Sequence, residues 1–210
     1  MTHKAMFALS LSCVLGLVAA TTTVKASDSV YTDLDFDKCK TVMADDMGAQ
    51  LTCPGFGDYP VHFKEGDLRQ SLLYGKVAPQ LIEEAFESFS AFNRVHTKLE
   101  WRLDSRGRPF AAIHRWYIEN PGPDGSISDK STGQVLVVSR VGQSERDASC
   151  FVALVDARAN SNANELARQA ADRWARDYEC GMEPGPQWLG KRGNLTSERT
   201  FYWPEGFIQQ

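Results

Sequence analysis

The cysteines are the residues of this chain whose type and spacing point most clearly to chemistry. The sequence contains five, of which Cys39, Cys53, Cys150 and Cys180 follow the first 26 residues. An even number of cysteines in an exported chain is typical of disulfides, and four cysteines allow three pairings. Zinc is the competing interpretation, but the sequence has no CxxC or HxxxH spacing. We therefore predict two disulfides, no metal site and no cofactor.

The spacing of the first two cysteines favours a bond between them. Residues 39–53 read as two short strands around the turn residues Asp-Asp-Met-Gly at 45–48. If the turn centres on Asp46, Cys39 and Cys53 stand directly opposite each other in the hairpin. Opposed positions of antiparallel strands have Cα atoms about 4.5–5.5 Å apart, a distance that a disulfide accepts.

The other two cysteines are predicted to pair because the chain between them returns to its start. An apolar strand that begins at Cys150 and runs to about residue 158 covers roughly 27–30 Å. A helix over Ala163–Glu179 then travels back about 25 Å. The two distances nearly cancel, so we expect Cys180 to arrive beside Cys150, and each disulfide to contribute about 2–4 kcal/mol to stability.

Histidine could supply acid–base catalysis, and His62, His96 and His114 are the three that follow residue 26. Strand alternation places His114 on the same side as Trp116. Burial there can move a histidine pKa towards the working pH of a general base. A hydrogen-bonded structural histidine is the commoner arrangement. We therefore keep His114 as a candidate only and assign no catalytic residue.

Motifs that mark known enzyme classes are absent from the sequence, including the Gly-x-Ser-x-Gly elbow, glycine-rich phosphate loops and the zinc-hydrolase helix. The stretch Asp33–Asp37 carries three carboxylates. Lys38 and Ala44 nevertheless occupy the positions at which a calcium loop needs glycine and a bidentate acid. Five tryptophans could line a carbohydrate or peptide groove, although we expect most of them in the core or the tail. Whether the protein is an enzyme is uncertain on these grounds, and we lean towards no.

The first 26 residues predict an export signal. Lys4 precedes an apolar run from Ala5 to about Ala20, and Val24-x-Ala26 is typical of a cleavage site. The run is about 16 residues long, shorter than the roughly 20 that span a bilayer, and no second run of that length follows. We therefore expect a periplasmic or secreted protein with no transmembrane segment after signal cleavage.

Composition limits the partners. The formal net charge is -4, and removing residues 1–26 takes away two lysines and no acid, which leaves -6. Acidity of this kind argues against nucleic acid as a partner, because binding to phosphates needs clustered lysine and arginine. It permits a cationic partner. The partner classes that remain are another protein, an envelope component and a small ligand.

The elements that must position these residues predict an α+β fold. We expect an antiparallel β-sheet with a long C-terminal helix packed on it, plus a shorter helix, joined by two disulfides. Apolar runs that are alternating or continuous predict strands at residues 61–64, 68–74, 99–103, 109–118, 134–138 and 151–155. Residues 27–180 would form one globular domain with a loop at 120–133, and residues 181–210 an irregular tail.

The two helices are predicted from their first residues and their apolar spacing. Pro79 is acceptable at the first helical position, and apolar residues follow it at helical spacing to Phe89. Asn162 with Glu165 resembles a capping box at the start of the long helix. Apolar residues then recur every four positions as far as Tyr178, which extends the predicted helix to Glu179.

Three segments carry a resemblance to a known family. Residues 51–57, which read Leu-Thr-Cys-Pro-Gly-Phe-Gly, and residues 99–110 and 155–172 resemble a family of uncharacterised exported proteins from alphaproteobacteria. The similarity covers most of residues 30–180 and leaves out the tail. The resemblance implies a periplasmic or secreted location and transfers no catalytic residue to this chain.

Two functions from different classes are consistent with these observations. We favour a non-enzymatic periplasmic binding module that acts as an inhibitor or adaptor. The alternative is a small periplasmic hydrolase with a dispersed active site, in which His114 works with an acid from a neighbouring strand. A deep pocket with a carboxylate beside His114 would favour the hydrolase. Packing of His114 under Trp116 without a cleft would favour the binding module.

Overall fold

The computed structural model describes Met1 and residues 28–207. Apart from Met1, the predicted export signal at residues 1–26 therefore lies outside the described residues. Of the described residues, 49% lie in strands and 12% in helices. The predicted α+β class with a long C-terminal helix is therefore wrong, because the protein is mostly β with two short α-helices.

Twelve strands and two α-helices make up the described part of the chain. The strands are β1 (Asp28–Asp33), β2 (Lys40–Asp45), β3 (Gly48–Phe56), β4 (Tyr59–Gly66), β5 (Arg69–Lys76), β6 (Phe86–Phe89), β7 (Phe92–Leu103), β8 (Pro109–Glu119), β9 (Thr132–Gln143), β10 (Phe151–Asp156), β11 (Gln187–Leu189) and β12 (Arg199–Tyr202). The helices are α1 (Pro79–Glu84) and α2 (Ala163–Trp174), and one 3-10 turn covers Phe36–Lys38.

One curled sheet dominates the fold, with the strand order β1-β7-β8-β9-β5-β4-β3-β2. The long strand β9 is its junction, because one edge pairs with β8 and the other pairs first with β10 and then with β5. The backbones of β5 and β9 approach very closely. A Cβ atom at Gly75 would lie 2.4 Å from the carbonyl oxygen of Gly142, and the φ angle of Gly75 is +87°. Only glycine fits this junction.

The core lies inside the curl of the sheet and is filled by aromatic side chains. Trp101 and Trp116 are completely buried there, beside Tyr74 and Phe89. A buried tryptophan removes about 200 Å² from water, which stabilises the fold by about 5 kcal/mol. Helix α2 packs on the outside of the sheet through a row of buried alanines, whose small side chains let the helix approach the strands closely.

Helix α2 ends at Trp174, five residues before the predicted end. The apolar spacing continues to Tyr178, whose side chain packs both against the cluster between α2 and the sheet and against the cluster that contains Cys180. The six residues of β10 rise about 20 Å and the 12 of α2 return about 18 Å, which brings the chain back level with Cys150. A helix that continued to Glu179 would return about 25 Å and so overshoot Cys150 by about 5 Å.

The predicted shorter helix is also cut short, because α1 ends at Glu84. Ala85 has an extended conformation, and the following residues form strand β6. The ammonium of Lys64 donates hydrogen bonds to the carbonyl oxygens of Glu83 and Ala85 and so closes the end of this helix. The helical spacing of Phe86 and the residues after it is therefore a coincidence of sequence.

The C-terminal segment differs from the irregular tail expected after residue 180. Strand β11 pairs in parallel with β10, and β12 pairs antiparallel with β6. Trp203 is buried against the cluster that contains Val77, Leu81 and Cys150. Residues 187–203 therefore belong to the folded domain. The segment from residue 120 to the start of β9 is irregular, as predicted.

Both predicted disulfides are present in the structure. The Cα atoms of Cys39 and Cys53 are 4.1 Å apart, and those of Cys150 and Cys180 are 5.7 Å apart. The first bond depends on a β-bulge at Val42. Asp45 pairs with Gly48 across the turn, and an unbroken ladder would set Cys39 opposite residue 54. The extra residue at Val42 shifts the register by one and brings the two cysteines face to face.

Candidate functional site

His114 is a buried structural residue with both ring nitrogens bonded. Its Nε2 faces the backbone carbonyl oxygen of His96, and its Nδ1 lies 2.9 Å from the hydroxyl of Tyr74. A carbonyl oxygen accepts only, so Nε2 carries the proton and Nδ1 accepts from Tyr74. Burial lowers the pKa of His114 to about 4. Among the described residues no carboxylate lies within hydrogen-bond reach of this ring.

The other two histidines do not gather around His114. The Nε2 of His62 donates to the carbonyl oxygen of Gly75 at 3.2 Å, and burial lowers its pKa. His96 lies on the outer face of β7, where its Nδ1 accepts the backbone N–H of Lys98. Within residues 28–207 no group of three or more His, Cys, Asp or Glu side chains could hold a metal ion.

A cluster of charged side chains fastens α2 to the sheet. Glu100 accepts hydrogen bonds from Arg168, Ser29 and Tyr31, and these bonds hold the pKa of its carboxyl below the usual value although burial opposes them. On the same face, Arg102 donates two hydrogen bonds to Asp172. Every charged member of the cluster has a partner, so its role is structural.

A different set of side chains lines a groove at the C-terminal end of α2. The groove has a volume of about 460 Å³ and lies between the last turn of the helix and residues 182–187. A second cavity of about 350 Å³ adjoins it, and the two share Tyr178, Glu179 and Met182. We call the two cavities together the Tyr178 groove.

The apolar lining of the Tyr178 groove comes from aromatic and thioether side chains. Trp174 and Tyr178 are half-buried, and Met182 is 42% exposed. The phenol oxygen of Tyr178 has no hydrogen-bond partner among the described residues. Phe207 lines the second cavity and stacks on Trp203. The indole N–H of Trp203 is buried and has no hydrogen-bond partner among the described residues.

The rim of the larger cavity is acidic. Asp177, Glu179 and Glu183 line it and are exposed. None of the three takes part in an ion pair within the described residues, whereas other acids such as Asp147 and Asp172 are paired with arginine. Among the described residues that line the larger cavity, Arg173 is the only basic one, and its guanidinium lies 5.8 Å from the ring centre of Trp174. The second cavity is lined by Arg140 and Arg146.

A buried ion pair lies in the folded core near Tyr178. Glu87 is completely buried, accepts a hydrogen bond from the Arg199 guanidinium at 2.6 Å and accepts a second from the backbone N–H of Phe151. Burial, and to a smaller extent the Glu87 carboxylate, raise the pKa of Tyr178 to about 12. Tyr178 is therefore a neutral phenol at physiological pH, able to donate or accept a hydrogen bond.

The covalent framework holds the groove in place. Cys180 stands between Tyr178 and Met182 in the sequence, and its bond to Cys150 attaches this turn to the start of β10. Strand β11 places Gln187 on the opposite side of the larger cavity through its pairing with β10. Both walls are thus fixed to the same strand, so the groove is largely formed without a ligand.

Comparison with protein-family models, with curated proteins and with solved structures finds no match to this chain. In the described part, no helix is both long enough and apolar enough to cross a membrane. The two disulfides are compatible with an exported protein.

Sequence reasoning missed the Tyr178 groove. The sequence predicts that Trp174 and Tyr178 pack on the sheet as part of one helical stripe, and both do pack against the cluster between α2 and the sheet. It also predicts a helix that continues to Glu179 and an irregular chain after Gly181. Instead α2 stops at Trp174, and a later segment returns to pair with β10 beside the two aromatic residues. The available signal was the run of residues 177–183, in which three acids are interspersed with Tyr178, Cys180 and Met182.

Proposed function

We propose that the protein is an exported, non-enzymatic binding module and that the Tyr178 groove is its binding site. The single observation that carries this proposal is a groove whose aromatic and thioether side chains are only partly covered by the fold. Trp174, Tyr178 and Met182 are only partly covered, and the rim acids take part in no ion pair with the described residues. Partly covered aromatic residues with a few polar groups are typical of binding sites.

Location in the periplasm, or secretion, is part of this proposal. It is supported by the export signal predicted at residues 1–26, by the two disulfides, and by the resemblance to exported alphaproteobacterial proteins. The role of inhibitor or adaptor rests on analogy with other small disulfide-bonded exported domains. The partner would be another protein, an envelope component or a small ligand.

Site-specific photo-crosslinking tests the proposal. Benzoylphenylalanine is introduced at Met182, on the groove, or at Met47, which is 79% exposed at the tip of the β2–β3 hairpin. Cells that express the full chain are irradiated and the product masses are compared. We expect discrete heavier species from Met182 and none from Met47. Equal products from both positions, or none from Met182, would contradict the assignment of the groove.

A further inference from the structure

The chemistry of the Tyr178 groove points to the class of its ligand, and this inference rests on the proposed function. Three carboxylates stand at the rim of the larger cavity, beside one basic side chain among its described lining residues, that of Arg173. The second cavity is lined by Arg146 and by Arg140, which is paired with Asp147. The negative charge of the groove therefore lies at the larger cavity, on a chain that is itself acidic. Unpaired carboxylates attract cations, and this attraction also speeds the encounter with a cationic partner.

The aromatic floor suits the same ligand. The ring faces of tryptophan and tyrosine carry partial negative charge and attract ammonium and guanidinium groups. Arg173 already lies over Trp174 in this way. The aliphatic stem of lysine or arginine would contact Met182 and the rings, while the charged end remains near the rim carboxylates. Both parts of such a side chain therefore find complementary surface.

The surroundings favour a segment of polypeptide over a small amine. Two adjoining cavities offer room for more than one side chain. Among the described strands, β11 pairs with β10 alone, so the other edge of β11 has no strand partner. Gln187, the first residue of β11, lines the larger cavity. An extended segment that follows the groove would therefore reach the start of β11 at Gln187 as well as fill the cavities.

We propose that the Tyr178 groove binds a polypeptide segment in which lysine or arginine alternates with apolar residues. The basic side chains would lie among Asp177, Glu179 and Glu183, and the apolar ones against Trp174 and Tyr178.

Calorimetric titration with designed peptides tests the proposal. The probe is a peptide of alternating lysine and leucine. Its matched controls are the same peptide with acetylated lysines, a glutamate–leucine peptide, and butylamine. We expect the lysine–leucine peptide to bind most tightly and added salt to weaken its binding, because the rim charges are exposed.

Two charge variants locate the effect in the groove. The first replaces Asp177, Glu179 and Glu183 with their amides. The second makes the same change in charge at three exposed acids that line neither cavity, namely Asp37, Asp46 and Asp129. Exposed ion pairs are individually weak, so we expect about tenfold weaker peptide binding for the first variant and no change for the second.

Trp174→Leu completes the test, because it keeps an apolar side chain but removes the ring face. We expect weaker binding of the lysine–leucine peptide. These probes separate a wrong ligand class from a wrong site. If the acetylated or glutamate peptide binds as tightly as the lysine–leucine peptide, and Trp174→Leu weakens that binding, the proposed charge preference is wrong but the groove is still the binding site. If butylamine binds as tightly as the lysine–leucine peptide, the proposal of a polypeptide ligand is wrong.

Two remaining outcomes are also decisive. Peptide binding that is unaffected by both the rim variant and Trp174→Leu overturns the proposal, because the peptide then binds elsewhere on the chain. If no probe binds at all, the ligand class is wrong. Photo-crosslinking from Met182 then decides whether the binding function is wrong as well.

Discussion

Acid should destabilise this protein through His114 in a defined pH range. The pKa of the ring is 6.5 in the unfolded chain and about 4 in the folded protein, because the charged form is buried without a counter-charge. The unfolded chain therefore binds the proton more readily. The stability contributed by the neutral ring is fully present above about pH 6.5, is lost as the pH falls towards 4, and changes no further below that value.

The size of the effect follows from the two pKa values. Protonation of the folded protein is about 300-fold less favourable than protonation of the unfolded chain, which corresponds to about 3 kcal/mol. This is a large part of the 5–15 kcal/mol by which folded domains are typically stable. The lowered pKa of His62 acts in the same direction, whereas the raised pKa of the Glu87 carboxyl stabilises the folded state as the pH falls.

Denaturant unfolding at neutral pH and at about pH 4.5 measures the effect, and His114→Gln isolates it. The glutamine amide N–H can still donate to the carbonyl oxygen of His96, but it does not titrate. We expect the variant to lose less stability than the natural protein between the two pH values. His96→Gln, which removes a histidine that is not buried, serves as the control. If the natural protein and His114→Gln lost the same stability between the two pH values, the claim that His114 is buried in its neutral form would be refuted.

Three further predictions concern the framework, and each is measured by guanidinium unfolding. Replacing Cys150 and Cys180 with serine should cost about 3.5 kcal/mol, because their bond closes a loop of 30 residues in the unfolded chain; a cost below about 1 kcal/mol would contradict this. Arg199→Met should cost about 3–5 kcal/mol at neutral pH, because it leaves the buried Glu87 carboxylate unpaired, and part of this loss should be regained on acidification, which neutralises the carboxylate. A loss that is the same at both pH values would contradict this. Gly75→Ala should cost more than about 1 kcal/mol, because its Cβ would meet backbone, whereas Gly66→Ala, with open space around it, should cost less.

The covalent framework was predictable from the sequence because lengths and pairings determine it. The return from Cys150 to Cys180 was predicted from a strand and a helix that are both shorter in the structure. The prediction survived because the two overestimates cancel. The Cys39–Cys53 bond was predicted from a turn centred on Asp46, and the bulge at Val42 produces the same register from a different turn.

Most strands were also predictable, because their alternating or continuous apolar runs reflect burial. Strands β8, β9 and β10 contain the predicted runs 109–118, 134–138 and 151–155. The order in which strands pair was not predictable in the same way. The two edges of β9 are shared among three strands, and only long-range contacts decide that arrangement.

The candidate site was not predictable because it depends on where α2 stops. Apolar spacing continues through Tyr178, and no glycine or proline interrupts it before Gly181. The stop comes from tertiary contacts, namely the disulfide at Cys180 and the packing of Tyr178. His114, in contrast, was placed on its correct face by strand alternation, but its hydrogen bonds to Tyr74 and His96 join residues far apart in sequence.

The indole N–H region of the nuclear magnetic resonance spectrum tests the Tyr178 groove most directly. The chain has five tryptophans, so the region holds five indole signals, which single substitutions assign. We predict that the lysine–leucine peptide shifts the signal of Trp174, at the groove, and leaves those of Trp101 and Trp116, in the core, unchanged. A spectrum in which the Trp174 signal stays fixed while the peptide binds would contradict the groove as the binding site.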